Sequence, residues 1–341
     1  VHPMSRTQQR PTARALATAA REALAEFGVS SSARIQRLHD GENTTWKVQP
    51  PGRRPAMVLR LHRAGYQSPA RIEGELLWLD ALGQDLPGRT PTPVRTKNRP
   101  LLCNVPVPGT DQVRPASLLS WSPGRFPGWP GGRATLEHVG ALAALLHRHA
   151  RSWRSPAKRR RPALGLEEVL GDACHWGIAP LAVPGLRASQ RQYLADTIQE
   201  LRQCIDAWGR PRRTRGLIHG DLHLGNLLIE NGRARAIDFD DCARTYFLMD
   251  PAVALLGAAL QDGFEARRDA FWKGYRSENG AISESDQSRL ATFQLMRTIS
   301  MFAWSYTRSD TPRMKAFHRR RQRLMLSACR TWNRTKGARI R

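Results

Sequence analysis

Disulfide chemistry has little to work with in this 341-residue chain. Its five cysteines, Cys103, Cys174, Cys204, Cys242 and Cys329, are scattered, odd in number and never spaced C-x-x-C. That argues against a disulfide framework or a cysteine zinc site, and for a reducing, cytoplasmic setting. No apolar run approaches the roughly 18 residues that suggest a membrane-spanning helix. The opening VHPMSRTQQRPTARA lacks the apolar centre of a secretory signal. It has some of the Arg- and Ala-rich character of an organellar transit peptide, but residues 12 to 27 read more simply as a first helix. Lysine and acid are scarce too. Of 54 basic residues only six are Lys and 48 are Arg, and 29 acids leave a net charge of +25 with a pI near 11.3. This imbalance raises nucleic acid, anionic lipid or phosphate-bearing ligands as partners. An Arg excess beside abundant Ala, Gly and Pro also arises from codon bias in a GC-rich genome.

What is present divides in two. After the first helix, ARIQRL, TTWKVQ and PAMVLRLHR are short, β-favouring and separated by turn formers such as DGEN and PPG, which predicts an antiparallel sheet. SPARIEGELLWLDALG then places Ile72, Leu76, Leu79 and Leu82 at helical spacing, with Ser68 as cap and Pro69 in the first turn. RPLLCNV and ASLLSW are further strands. The Pro- and Gly-rich SPGRFPGWPGG marks a hinge. From residue 133 the pattern turns helical: Leu136, Val139, Ala143 and Leu146 share a face, and more helices are expected near 190–208, 252–278, 283–306 and 312–332. One isolated hairpin interrupts them, LLI and ARAI around the turn ENG. The expected fold is α+β and bilobal, with residues 1–119 a small sheet-containing lobe and 120–341 a larger, mainly helical one.

The chemistry lies in LIHGDLHLGNLLIENGRARAIDFDDC, residues 217 to 242. His219, Asp221 and Asn226 form H-x-D-x-x-x-x-N, and Asp238 follows at the end of a strand. A loop can hold Asp221 to orient a hydroxyl, while the hairpin brings Asn226 and Asp238 together as oxygen ligands for Mg²⁺ on nucleotide phosphates. Asp and Asn also favour turns without any metal, which accounts for one or two of these residues but not the ordered set.

HGDLHLGNLL followed by IDFDD resembles the motif of the aminoglycoside phosphotransferase and choline kinase family, which has a protein-kinase-like fold. The resemblance implies an ATP- and Mg²⁺-dependent transfer with Asp221 as catalytic base, Asn226 and Asp238 as metal ligands, and Asp240 as a supporting acid. His219 braces the loop through hydrogen bonds, and His223 reads as loop packing. Asp250 reads locally as the N-cap of an apolar helix, with Pro251 at its first position, and the resemblance adds that this acid steadies the catalytic loop. HDGENTTWKV resembles the family's nucleotide-covering turn, with Thr44 and Thr45 as phosphate contacts but no G-x-G-x-x-G. Glu75 is placed like the acid that pairs with a phosphate-binding lysine. The sequence departs from the pattern at that lysine, where VLRLHR has Arg60. An Arg can bind both phosphate and Glu75, but through a planar fork rather than an ammonium. Lys47 is an alternative cation, or simply an exposed strand lysine. ASLLSWSPG resembles the interlobe segment that meets adenine, with Trp121 packing.

Between 311 and 341 lie eleven Arg or Lys and no acid, and KRRR at 158–161 and RPRRTR at 210–215 add two clusters. All three read as solvated faces. An aminoglycoside is a polycation whose site needs acids, and few lie outside the motif. The acceptor is therefore read as a small-molecule hydroxyl, or alternatively a protein serine or threonine as in the bacterial stress-response kinase, which shares the HGD, GN and D-x-D-D pattern. A nucleic-acid-binding protein using the basic C-terminal helix and Trp332, and a metal-assisted hydrolase, are the rivals.

Overall fold

A computed structural model describes residues 11–335 apart from 42, 173, 176, 210 and 211. The transit-peptide-like opening, the end of the basic C-terminal run and part of RPRRTR lie outside the described residues. Helix α1 (Ala13–Glu26) starts where the Thr12 hydroxyl accepts the Ala15 N–H at 3.1 Å. It lies on a sheet of six antiparallel strands: β1 (Arg34–Asp40), β2 (Asn43–Gln49), β3 (Met57–His62), β4 (Pro93–Val94), β5 (Cys103–Pro106) and β6 (Val113–Ser120). Their order is β1-β2-β3-β6-β4, with β5 also on β6. Strand alternation sorts the side chains. Trp46, Val48, Leu59 and Leu61 join Leu16, Ala20 and Leu24 of α1 in one apolar cluster. The intervening residues, Thr45 and Arg60 among them, are turned to the other face, over the cleft. Between β3 and β4 runs α2 (Pro69–Asp85), with Ser68 as cap and Pro69 in its first turn as expected.

The second lobe is mainly helical: α3 (Arg133–Ser152), α4 (Leu166–Leu170), α5 (Ala188–Ala207), α6 (Met249–Leu256), α7 (Phe264–Ser277), α8 (Glu284–Gln287), α9 (Leu290–Thr307) and α10 (Pro312–Thr335). The expected hairpin is β8 (Leu227–Glu230) and β9 (Arg233–Ala236). Its turn residues Asn231 and Gly232 both have the positive φ, 48° and 69°, that a two-residue primed turn demands. A second antiparallel pair, β7 (Arg215–Ile218) with β10 (Ala243–Tyr246), frames it and was not expected. The helix expected over 252–278 is two. Gly257 lies against the Trp129 ring, and Gly263 at φ 71° precedes α7. The stretch 283–306 likewise divides into α8 and α9.

Helices α3 and α7 cross with almost no space between backbones. A Cβ on Gly140 would stand 1.9 Å from the Phe271 carbonyl oxygen, and one on Gly274 would stand 1.8 Å from that of Glu137. The linker following β6 is pinned to the hairpin, because Arg125 and Ile229 exchange backbone hydrogen bonds of 3.1 and 2.9 Å.

Two of the basic segments are not simply solvated faces. Arg161 is buried, 2% exposed, and Arg215 donates to the Leu164 carbonyl and covers the Tyr246 ring. In α10, Met325, Leu326, Cys329 and Trp332 are buried in the main core. Trp332 is therefore core packing rather than a base-stacking platform, which removes the aromatic handle of the nucleic-acid reading. Among the described residues no helix is long and apolar enough to cross a membrane.

Candidate active site

The loop from β7 to β8 is held by a buried acid from another helix. Asp250 accepts the backbone N–H of His219 at 3.1 Å and of Gly220 at 2.9 Å. Its Oδ2 also meets His147 Nε2 at 3.0 Å, and His147 Nδ1 meets the Tyr275 hydroxyl at 2.8 Å. Asp250 and His147 are fully buried, so three helices converge on two peptide groups. The N-cap reading of Asp250 is corrected: α6 begins at Met249 after Leu248, leaving Asp250 inside the first turn with its carboxylate spent on the loop. Gly220, at φ 85°, could carry no Cβ, since one would lie 2.3 Å from the Asp241 carbonyl oxygen. The His219 ring is a brace, as expected. Its Nδ1 accepts the Asp221 N–H at 3.3 Å and its Nε2 donates to the Ile237 carbonyl at 3.0 Å, tying the loop to the strand end before Asp238.

Asp221 is surrounded by donors. Arg297 of α9 donates to its Oδ1, His223 Nε2 stands 3.3 Å from Oδ2, and Asn226 Nδ2 donates to Oδ2 at 3.2 Å and to the Asp221 carbonyl at 3.0 Å. His223 does serve the loop, its Nδ1 accepting the Gly225 N–H at 2.9 Å, but its side chain is also 43% exposed and its Nε2 touches the central carboxylate. Burial pushes the Asp221 carboxyl up, but the Arg297 charge, the His223 hydrogen bond and the charges of His223 and His219 outweigh it. The group is held well below the usual carboxylate range.

On the opposite wall, Arg60 takes the missing lysine's place. Its Nη1 donates to Glu75 Oε1 at 2.6 Å, its Nη2 donates to Asp240 Oδ1 at 3.1 Å and lies 3.8 Å from Asp238 Oδ1. The planar fork thus bridges α2 and the segment that follows β9, which one ammonium could not do at both ends. Burial opposes the Arg60 charge, yet Glu75, Asp240 and Asp238 together hold its pKa above the ordinary value. Lys47 does not substitute for it, since its ammonium sits 4.4 Å over the Trp121 ring. Trp121, 37% exposed, lines the cleft rather than packing in the core. Of the two threonines, Thr45 lines the cleft, whereas Thr44 is buried and donates its hydroxyl to Asp40 at 3.0 Å, a correction to its reading as a phosphate contact. Burial lifts Asp240 to about 7 against the opposing Arg60 charge, with Glu75 and Asp238 pushing the same way as burial.

The oxygen ligands fit Mg²⁺. With Asn226 Nδ2 spent on Asp221, its Oδ1 is the atom left for a cation, and Asp238, 55% exposed on its side chain, lines the same cavity at φ 63°. Among the described residues no three His, Cys, Asp or Glu side chains are grouped to hold a metal alone. Two protein oxygens suit an ion that completes its octahedron with phosphate and water. Arg161 secures this wall, donating to the carbonyls of Asp240 at 2.5 Å, Cys242 at 2.7 Å and Arg71 at 2.8 Å, and to Gln67 Oε1 at 3.0 Å. Sequence reasoning missed Arg161, Arg297 and His147. The available signal was polarity out of place: Arg297 interrupts the apolar QLMRTISMFAW, and His147 continues the apolar series of Val139 and Ala143.

Thr45, Arg60, Trp121, Asp221, His223, Asn226, Asp238, Asp240 and Arg297 line one cavity of about 930 Å³ between the lobes. The model of the phosphotransferase enzyme family matches residues 34–284. No curated protein matches. Among solved structures, a microcompartment-associated aminopropanol kinase is 26% identical, with a TM-score of 0.80 over 95% of this chain and 98% of its own. An amicoumacin kinase in complex with AMP-PNP and Ca²⁺ is 19% identical, with a TM-score of 0.70 over 86% of this chain and 88% of its own. A choline/ethanolamine kinase family protein from Mesorhizobium loti is 15% identical, with a TM-score of 0.62 over 93% and 99%.

Proposed function

The chain belongs to the phosphotransferase enzyme family, and on that premise we propose that it is a kinase transferring the γ-phosphoryl group of ATP to a small-molecule hydroxyl. Residues 1–119 form its nucleotide-binding lobe and 120–341 its catalytic and acceptor lobe. One observation carries the reading: Asp221 and Asn226 of one loop, Asp238 after the hairpin and Arg60 of β3 line a single cavity. Its volume is within the range of small-molecule sites, and the aminopropanol and amicoumacin kinases act, by name, on small molecules. Both points favour such an acceptor over a protein segment.

Asn226 Oδ1 and Asp238 would hold Mg²⁺, which when bound would offset the charge of the phosphates. Thr45 and the Arg60–Glu75 pair border the phosphates, and the segment at Ser120 and Trp121 borders the base. Asp221 accepts the hydrogen bond of the acceptor hydroxyl and aligns its oxygen in line with the scissile bond. The new O–P bond forms as the bond to the β–γ bridging oxygen breaks, the electron pair leaves with ADP, and the hydroxyl proton passes to Asp221 and on to water. A carboxylate with so low a proton affinity acts first by orientation, which suits a loose transition state in which the proton moves late.

The test is label transfer from γ-labelled ATP with Mg²⁺ to pooled small alcohols, aminoglycosides and generic protein, beside Asp221→Asn. Label in an alcohol fraction that disappears in the variant is the expected result. Phosphate release independent of any acceptor would indicate a hydrolase, and label in protein alone would redirect the reading to a protein kinase.

A further inference from the structure

The acceptor end of the cavity differs in charge from its catalytic end. The four acids lining the cavity are Asp221, Asp238, Asp240 and Asp241, all within the motif or directly after it. Beyond Asp221 the wall is built by α9 and α10, from Arg297, Ser300, Met301, Trp304, Phe317 and Arg321. It offers two guanidiniums, a hydroxyl and apolar surface, and no carboxylate. Aromatic rings in such a place could box an ammonium, but here they already have cations over them: Arg321 at 4.8 Å from the Phe317 centroid and Arg308 at 6.0 Å from that of Trp304. Arg297 is 7% exposed and Arg321 is partly buried nearby. Burial lowers the Arg321 pKa, and the charges of Arg297 and Arg320 lower it further. Among the described residues no carboxylate is paired with Arg321, while Arg297 is paired with Asp221, so positive charge is in excess on the α10 side of this wall. A second ammonium would be repelled, whereas an anion would relieve the repulsion.

Resting on the kinase reading, we propose that the acceptor is an alcohol bearing an anionic group, carboxylate or phosphate, held by Arg297 and Arg321 while its hydroxyl faces Asp221. The guanidinium fork matches either oxyanion with two parallel hydrogen bonds. Arg297 also donates to Asp221, so the residue that would meet the anionic group stands directly beside the carboxylate that would face the hydroxyl.

The experiment is titration calorimetry with Mg²⁺ and a non-hydrolysable ATP analogue present. The ligands are three- and five-carbon polyols ending in a carboxylate, a phosphate, an ammonium or a plain hydroxyl. Wild type and Arg321→Glu are compared, and labelled ATP is then supplied with whichever ligands bind. The anionic members should bind the wild type at least 10-fold more tightly than the ammonium members, and Arg321→Glu should erase or invert that order without changing affinity for the ATP analogue. The carboxylate and phosphate arms identify the oxyanion. Tighter binding of the ammonium series, or no binding of either anion series, overturns the inference whether or not label moves. So does an Arg321→Glu protein that loses the nucleotide instead, since the guanidinium would then serve ATP. Anion binding without label transfer upholds the anion site and sinks the kinase reading. Arg321→Lys, which keeps the charge but not the fork, should retain the preference with weaker affinity, separating recognition from a folding defect.

Discussion

Arg60 and Glu75 meet at 2.6 Å with the guanidinium 6% and the carboxylate 0% exposed on their side chains, joining a strand of the small sheet to the helix behind it. Among the described residues Glu75 Oε2 has no hydrogen-bond partner, so the hydrogen bond to the carboxylate is the one from Arg60 to Oε1. Arg60→Met should leave an unpaired buried carboxylate and destabilise the protein by about 3–5 kcal/mol, measurable by urea unfolding. Arg60→Lys should fold but lose the second arm to Asp240. With a charge-assisted hydrogen bond contributing about 1.5–3 kcal/mol, kcat/KM for ATP should fall roughly 10- to 100-fold. Unchanged kinetics in the lysine variant would place Arg60 outside the nucleotide's reach.

Asp221→Asn keeps the shape of the side chain and removes its charge. Turnover should fall by roughly 10²- to 10⁴-fold, the usual worth of a positioned acid–base group, while the affinity for an ATP analogue stays unchanged. Asp238→Asn should do the reverse, abolishing the part of nucleotide affinity that depends on Mg²⁺. Full activity in either variant would overturn the assigned roles, and a metal titration of nucleotide binding tells the two apart.

The α3–α7 crossing makes a stability prediction independent of function. Gly140→Ala sets a methyl group 1.9 Å from a backbone carbonyl oxygen that belongs to a helix and cannot turn aside. Overpacking costs typically about 1–3 kcal/mol, and this position should reach the top of that range or exceed it. Gly128→Ala, where nothing lies within 4 Å, is the matched control and should be near neutral. Thermal unfolding of the pair decides it.

His62 bonds to the Ser117 hydroxyl at 2.9 Å, and burial, with Arg60 beside it, pushes its pKa well below the ordinary value. His149, His175 and His318 are lowered too, chiefly by burial, His175 to about 4. At these four rings the unfolded chain therefore binds more protons than the folded one below about pH 6.5, while Asp240, raised to about 7, works in the opposite sense. The contribution of each ring is full above that pH and is lost as pH falls, with a slope of up to about 1.4 kcal/mol per pH unit. Denaturant unfolding of the wild type and His62→Gln between about pH 7 and 5 isolates the His62 share: the variant should lose less stability on acidification than the wild type. Parallel pH profiles would mean that this ring titrates in the fold as it does in the unfolded chain.

Residues 217–242 were legible because their chemistry is local. A loop and a hairpin fix the spacing of Asp221, Asn226 and Asp238, and the ENG turn needs only residues that accept a positive φ. The strands of the small sheet, the Ser68 cap and the overall two-lobed α+β architecture follow from alternation and helical periodicity, which are also properties of neighbouring residues. That Arg60 could meet Glu75 was expected from resemblance.

The sequence by itself determined which groups could do chemistry, and tertiary structure alone decided which charges face one another. Arg297 reaches Asp221 from 76 residues away, and Arg161 reaches the Asp240 carbonyl from 79. Arg297 stands out locally as a charge in an apolar run, but nothing in the local pattern says which distant group either arginine meets. Helix starts misread at Asp250, and a helix expected whole over 252–278, failed for a related reason: the acid was claimed by backbone N–H groups of a distant loop, and the break was set by contact with Trp129. An isolated charge is soluble wherever it is written. Only packing removes it from water and makes its partner matter.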